Sequence, residues 1–403
     1  MPIRLVVRLF GLLGLMGTLI AVPSAAGAAG TARVSVVSAV WTEPQSGYGF
    51  LDDAIEHART TIDLSMYALE DTTTEKDLIA RTQAKVNVRV ILNADYEGKH
   101  DNQATFNYLR AHGVQVVWAP AGQTFHAKYL IVGHSAYVGT GNLQSKYYSS
   151  TRDFWMKDAN ASDVGAMAQT FNNDFIRNGA APMHSHGLVW SPGSTSALLR
   201  LIGSAKHTLL VENEEMDSPS IESALSQAAQ RGVAVNVVMT ESSDWTAALG
   251  VLARNGVHVH VLNSSQVYIH AKVICADCTT SEGTAFVGSE NFSTSSLSYN
   301  RELGLVTSSL VVVRAVATAL NADYASGAPV GASAPAPVAT LPPAPSSGGP
   351  VAITSFRESV SPGAEDSLSA HSSRPRDVCS LRVTLPSGYV SQSRGLGPAK
   401  AAA

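Results

Sequence analysis

The chain repeats itself. His126-Ala127-Lys128 and His270-Ala271-Lys272 stand 144 residues apart, and the segments around them match in the same order. Val40-Trp41-Thr42-Glu43-Pro44 returns as Val189-Trp190-Ser191-Pro192, and Gly113-Val114-Gln115-Val116-Val117 returns as Gly256-Val257-His258-Val259-His260. A period this long is a whole α/β unit, not a solenoid module, so the fold must be a duplicated one. In each copy, apolar residues at helical spacing (Phe50, Leu51, Ala54, Ile55 and Ala58; Leu198, Leu199 and Ile202) precede a strand, at 61–67 and 208–213. A second helix and an alternating strand follow, the latter at 86–92 and 233–238. Strands alternating with helices predict mainly parallel sheets covered by helices. The two units, at 34–180 and 187–324, are expected to pack about a pseudo-twofold axis.

The flanks have other jobs. Arg4 and Arg8, the apolar run from Leu9 to Val22 and the small residues of 23–29 read as a secretory signal peptide over 1–28. No later stretch is long and apolar enough to span a bilayer, so a soluble, secreted mature protein is expected. Residues 326–350 hold 7 of the 18 prolines and no charged side chain, which predicts an extended linker over 325–350. Beyond it, 351–354 and 379–385 read as strands of a partial β-rich tail, 351–403, that stops as though a small sandwich were cut short. Export permits disulfides. Cys275 and Cys278 suit a tight local bridge better than a metal clip, since the third cysteine, Cys379, gives no second pair.

Composition removes several function classes. With 45% hydrophobic and 15% charged residues the chain is neither disordered nor, at 3 cysteines, a disulfide scaffold. Loss of Arg4 and Arg8 leaves 26 basic against 32 acidic side chains, a charge of −6, which disfavours nucleic acid as a partner.

A single His-x-Lys would mean little; the company each one keeps is the signal. His126-Ala127-Lys128 leads into Gly139-Thr140-Gly141-Asn142 and then Asp153, and His270-Ala271-Lys272 leads into Gly288-Ser289-Glu290-Asn291 and then Glu302. On a strand, residues two apart face the same way, so each His and Lys should project together. Two such pairs meeting across a pseudo-twofold axis would make a phosphodiester pocket. Lys128, Lys272, Asn142 and Asn291 would hold the non-bridging oxygens. One imidazole would attack phosphorus while the other protonates the leaving oxygen. Asp153 and Glu302 are candidates to accept each ring's other N–H. Glu212 and Asn213 are expected to line the pocket at a strand end, with Glu214 and Glu215 solvated. Trp118, Trp155, Trp245, Tyr96 and Tyr268 are placed near the mouth or in the core. His134, His258 and His260 are read as ordinary surface or core histidines.

These residues resemble the phospholipase D superfamily, whose signature H-x-K-x(4)-D followed by G-S-x-N occurs twice, over about residues 34–324. The second copy fits fully through His270, Lys272, Asp277, Gly288, Ser289 and Asn291. The first departs from it, with Gly133 at the Asp position and Thr140 at the Ser. The resemblance implies a phosphohistidine intermediate, no metal or other cofactor, and hydrolysis or transfer to an alcohol. By analogy His126 is the nucleophile and His270 the acid/base, with Asp277 in a structural role. The function expected is a secreted phosphodiesterase acting on phospholipids such as phosphatidylcholine at a membrane or micelle surface. The alternatives are an extracellular nuclease or a non-catalytic module that binds anionic lipid. The chain is expected to act as a monomer with an internal pseudo-dimer.

Overall fold

A computed structural model describes residues 37–331 and four short strands of the tail. The first half runs β1 (Val37–Glu43), α1 (Gly49–Glu56), β2 (Thr61–Met66), α2 (Thr72–Gln83), β3 (Asn87–Leu92), α3 (Gly98–Ala111), β4 (Gln115–Trp118), β5 (Tyr129–Val132), β6 (Ser135–Gly139), β7 (Thr151–Asp158) and α4 (Ala161–Phe175). The second runs β8 (Leu188–Ser191), α5 (Thr195–Ser204), β9 (Thr208–Asn213), β10 (Met216–Asp217), α6 (Pro219–Gln230), β11 (Ala234–Thr240), α7 (Thr246–Arg254) and β12 (His258–Leu262). It continues through β13 (Tyr268–Ile269), β14 (Lys272–Ala276), β15 (Thr284–Gly288), β16 (Phe292–Ser293), α8 (Thr294–Ser298), β17 (Glu302–Thr307), α9 (Leu310–Ser326) and β18 (Ala328–Pro329).

Local chemistry sets these boundaries. Asp71 caps α2 by accepting from the Thr73 N–H, and Asn160 caps α4 by accepting from Ser162 and Asp163, which satisfies donors that have no partner inside the helix. Gly113 and Gly256, two residues past the ends of α3 and α7, both take φ near +90° (+87° and +88°), a region that admits glycine without steric cost. The same residue therefore ends the same helix in both copies.

The strand order is β1-β7-β6-β5-β2-β3-β4 in the first sheet and β8-β17-β15-β14-β9-β11-β12 in the second, where β18 adds to the β12 edge. The order is identical, as the repeat requires. The sheets are mixed, however. Within these two orders β2-β3-β4 and β9-β11-β12 pair in parallel, as β13 does where it joins β7, whereas β5, β6, β7 and β1 and their counterparts β14, β15, β17 and β8 run antiparallel. The expectation of mainly parallel sheets fails because tight turns replace helices in the second part of each copy. β5 returns directly as β6 through Gly133, at φ +56°.

Each sheet has an outer and an inner apolar face. In the first half Leu51, Ile55, Leu78, Phe106 and Leu109 of α1–α3 bury against Leu64, Val90 and Leu130 of one face. Leu198, Ile202, Ile221 and Leu225 do the same against Leu209, Val211 and Val237 in the second. The inner faces share a third cluster. Met167 and Phe171 of α4 and Val313, Val316 and Leu320 of α9 lie there with Ile131, Phe154, Val273, Val287 and Leu305. One continuous core thus joins the halves, and burying apolar surface on both sides of each sheet leaves them no freedom to part.

Charge pins the same seam. Arg152 of β7 reaches Asp323 of α9, with Nε to Oδ2 at 2.5 Å, and Arg301 before β17 reaches Asp174 of α4 at 3.0 Å. All four side chains are buried. Residues 325–331 of the expected linker extend this unit, since α9 ends at Ser326 and β18 pairs with β12. In the tail, Ala352–Ser355 pairs antiparallel with Ser369–His371 and Arg382–Thr384 with Val390–Gln392, so both expected tail strands form. The signal peptide, residues 332–350 and Cys379 lie outside the described residues. Among the described residues no helix is long and apolar enough to cross a membrane.

Candidate active site

Neither His-Ala-Lys triplet lies wholly on a strand. The backbone breaks at both: His126 to Lys128 precede β5, and His270 falls between β13 and β14. The break has a cause in the other half. The N–H groups of His126 and Ala127 both donate to the Arg301 carbonyl, at 2.9 and 2.8 Å, and that of His270 donates to the Arg152 carbonyl at 3.2 Å. Each triplet is thereby stitched to the strand of the opposite copy that carries its Arg-Asp or Arg-Glu pair.

That stitching decides the partners of the imidazoles. His126 donates from Nδ1 to Glu302 Oε2 at 2.8 Å, and His270 donates from Nδ1 to Asp153 Oδ1 at 2.8 Å. Both carboxylates are buried, and the ring side chains are 13% and 14% exposed. With Nδ1 committed, Nε2 is the nitrogen left for chemistry. Burial pushes the His126 imidazole down to about 4 against the pull of Glu302, so at neutral pH this ring is unprotonated. Burial alone would raise the Glu302 and Asp153 carboxyls, but the imidazole beside each holds it below the usual carboxylate range.

Thr140 and Ser289 serve the carboxylates. Thr140 Oγ1 donates to Asp153 Oδ1 at 2.5 Å, and its counterpart Ser289 accepts from the Leu303 N–H at 3.1 Å beside Glu302. Thr for Ser in the first motif therefore keeps the hydroxyl where it is needed. Ser289 is fully buried and supports the dyad, not a phosphate oxygen.

The lysines are buried completely. Lys128 Nζ donates to the His126 carbonyl at 2.6 Å, and Lys272 Nζ to the His270 carbonyl at 2.5 Å. Each Nζ is thus tied to the main chain of its own histidine. Burial and the nearby Lys272 charge bring Lys128 down to about 7.

At matching strand ends the halves differ. Tyr67 follows β2, its ring edge-on to His126 at 4.8 Å and 5.2 Å from Lys128 Nζ. Glu214 follows β9 and places Oε2 2.7 Å from Lys272 Nζ and 3.6 Å from His270 Nε2. This corrects the expectation for the acidic run. Glu212 is buried on the inner side with Asp323 and Arg152, and burial holds its carboxyl well above the usual range. Asn213 is a buried brace that accepts from the Glu215 and Phe292 N–H groups. Glu214 and Glu215 are the pocket residues, Glu215 accepting from Asn291 Nδ2 at 2.9 Å. Alternation along β9 obscured them, because the strand ends at Asn213 and the turn after it, not the pleat, aims Glu214 at Lys272.

Asp277 stands apart from the pocket. At φ +51° in the loop closed by the Cys275–Cys278 disulfide, it accepts from the N–H groups of Lys206, His207 and Thr208 at 2.8, 2.7 and 2.9 Å. It is a turn brace and contacts no phosphate-binding group. Gly133 keeps the same left-handed backbone, and its N–H meets the Thr61 carbonyl as that of Asp277 meets Thr208. What the first half lacks is a side-chain acceptor for three backbone N–H groups, not chemistry. Two tryptophans line neither pocket. Trp155 is fully buried against Gly139, where a Cβ would lie 2.2 Å from the ring, and Trp118 stacks on Phe106. Tyr96, Trp245 and Tyr268 line the cleft, and His260 stacks on Tyr324.

Two pockets flank the histidines. That on the His126 side, about 600 Å³, includes Tyr67, Asn291 and Glu215; that on the His270 side, about 420 Å³, includes Asn142, Tyr268 and Glu214. Each asparagine thus faces the histidine of the other copy. Between them, Lys128 lies within electrostatic reach of Lys272, Glu302, Glu214 and Asp153, so the buried charges of the two copies are neighbours.

The family model described as "Cardiolipin synthase, PLD-like domain" matches residues 51–176 and again 198–324. Among solved structures the chain is similar to phosphatidylserine synthase from Haemophilus influenzae Rd KW20, at 10% identity over 70% of this chain and 84% of that one, with TM-score 0.57. It is also similar to polyphosphate kinase from Porphyromonas gingivalis, at 16% identity over 70% of this chain, with TM-score 0.58; the match spans 46% of the kinase's length. At these identities the likeness is one of fold. No curated protein matches the sequence.

Proposed function

Because the chain belongs to the phospholipase D superfamily, two PLD-like domains covering 51–176 and 198–324, we propose that it is a secreted phospholipase D-type phosphodiesterase acting on phospholipids such as phosphatidylcholine. The observation that carries the reading is the pair of imidazoles, each with Nδ1 hydrogen-bonded to a buried carboxylate, which leaves Nε2 for chemistry, beside two buried lysines.

The chemistry follows in two steps. His126, unprotonated, attacks phosphorus through Nε2; the N–P bond forms as the P–O bond to the headgroup breaks. The leaving oxygen takes a proton from His270 Nε2. Water, or an alcohol in the transfer reaction, then gives its proton to His270 and attacks the phosphohistidine, so the N–P bond breaks and His126 returns. Glu302 and Asp153 stabilise the positive charge each ring acquires. Lys128 and Lys272 offset charge gathering on the non-bridging oxygens.

The lipid substrate is favoured by the −6 charge of the mature chain, ill suited to a polyanion, and by the presence of both motifs in one chain. Choline release from phosphatidylcholine micelles tests it. Turnover is expected to resist chelators and to vanish in His126→Ala and His270→Ala. Degradation of plasmid DNA in place of lipid would assign a nuclease. Liposome binding with no activity on any phosphodiester would leave a binding module.

A further inference from the structure

One carboxylate stands where an anionic substrate would have to go. Lys272, Asn291 and His270 are the second motif's phosphoryl-directed groups, and all three converge on a single oxygen of Glu214, Oε2. Lys272 Nζ donates to it at 2.7 Å and Asn291 Nδ2 at 3.3 Å, and His270 Nε2 lies 3.6 Å away. The Asn291 amide also donates to Glu215 Oε1, at 2.9 Å. The other Glu214 oxygen, Oε1, accepts from Tyr268 OH at 2.9 Å. A carboxylate and a phosphodiester anion each spread one negative charge over two oxygens, so the same donors serve both. Glu214 answers these donors as a substrate oxygen would.

Its surroundings hold it in this seat. Burial alone would raise its carboxyl, but Lys272 and His270 keep it well below the usual carboxylate range, so it is charged. The space on its other side, a pocket of about 350 Å³, is walled by Glu215, Glu241 and Asp244 together with Trp245 and Tyr268. Those carboxylates repel another one, whereas Lys272 attracts it. The space is there all the same, so the side chain has somewhere to swing when a ligand with more contacts arrives. At the matching position of the first half stands Tyr67, its ring centroid 5.2 Å from Lys128 Nζ. A neutral phenol cannot play this part.

We infer that Glu214 is an internal competitor for the phosphoryl site: its Oε2 takes the place of a non-bridging oxygen in the free protein, and an incoming phosphodiester must displace it. The inference rests on the phosphodiesterase reading and adds to it a residue that selects ligands by charge. The displaced carboxylate stays beside the site, within reach of Tyr268, and repels a second negative charge. A monoanionic diester is therefore tolerated better than a dianionic monoester. The monoester product is driven out as Glu214 returns to Lys272.

The experiment measures Kd of inorganic phosphate and of dimethyl phosphate for the purified protein by calorimetry at fixed ionic strength, with cleavage of bis(p-nitrophenyl) phosphate followed in parallel. Glu214→Gln should bind phosphate about 10- to 100-fold more tightly than wild type, the range of one hydrogen bond to a charged group, and dimethyl phosphate more tightly by a smaller factor. Tyr268→Phe releases Oε1 while keeping every charge, and should tighten phosphate binding several-fold. It carries the test if Glu214→Gln does not fold. Reporter cleavage with phosphate affinity unchanged or weakened in the folded variants overturns the assignment of Glu214 and leaves the phosphodiesterase standing. Neither anion binding nor reporter cleavage in any of the three proteins overturns both.

Discussion

His126 donates an Nδ1–H hydrogen bond to Glu302 at 2.8 Å, across 176 residues of chain and across the seam between the two halves. His270 does the same with Asp153, 117 residues away. The dyads are crossed, so neither half holds a complete catalytic histidine by itself. The exchange follows from the backbone, because each His-Ala-Lys segment hydrogen-bonds to the Arg152 or Arg301 carbonyl of the other copy, one residue before the carboxylate in question.

The crossing sets which step each carboxylate supports. Glu302→Gln should slow formation of the phosphohistidine by about 10² to 10⁴, the span of acid–base and tautomer effects, and should do so for every substrate. Asp153→Asn acts through His270 and should slow release of a poor leaving group such as choline far more than release of p-nitrophenolate, which hardly needs a proton. Single-turnover rates on the two esters distinguish the variants; equal losses on both esters in both variants would contradict the pairing.

The pH profile should be set by two buried groups. His126, lowered to about 4, attacks only when unprotonated, so kcat/KM rises as pH passes that value. Lys128, lowered to about 7, neutralises phosphoryl charge only when protonated, so kcat/KM declines above it. A plateau between about 4 and about 7 is expected on phosphatidylcholine, whose charge is constant there. The same shift bears on stability. Between about 4 and 6.5, the ordinary imidazole value, the unfolded chain binds a proton that folded His126 refuses, so stability from this group rises with pH through that window and is lost on acidification. An acid limb standing near 6.5 would mean that His126 is not the group desolvated in this way.

The seam should be sensitive to single charge removal. Asp323→Ala leaves the Arg152 guanidinium buried beneath the pocket without its carboxylate, and a loss of roughly 3–5 kcal/mol is expected. Denaturant unfolding measures it. Asp174→Ala, which strips the mirror-image partner of Arg301, should cost a similar amount.

Asp277 should matter to folding and not to turnover. Asp277→Gly copies the first half: glycine accepts the left-handed backbone, while three N–H groups lose their acceptor. A cost of roughly 1–3 kcal/mol is expected, with kcat and KM of the folded protein unchanged. A drop in kcat at full foldedness would return Asp277 to the active site.

Much of this was written in the chain as pattern. The 144-residue repeat announced two α/β copies, and the helix-ending glycines, the His-x-Lys pairs, the asparagines and the acidic residues after them were all legible in order. The cysteine spacing announced the bridge that forms. Less legible were features fixed by where an element stops. Strand alternation puts Glu212 in the pocket and leaves Glu214 to solvent, because it says nothing about the turn after Asn213. The sequence leaves Trp155 near the mouth or in the core; only the pleat of β7, packed on Gly139, decides for the core.

Sequence alone determined that there are two copies and which side chains each contributes, since periodicity and motif order are properties of the linear chain. Tertiary structure decided which copy's carboxylate serves which imidazole, that one half offers Tyr67 where the other offers Glu214, and that two lysines share one buried space. Those are outcomes of apposition. They depend on how two inner faces bury their apolar surface against each other, and no spacing within either copy encodes the contact between them.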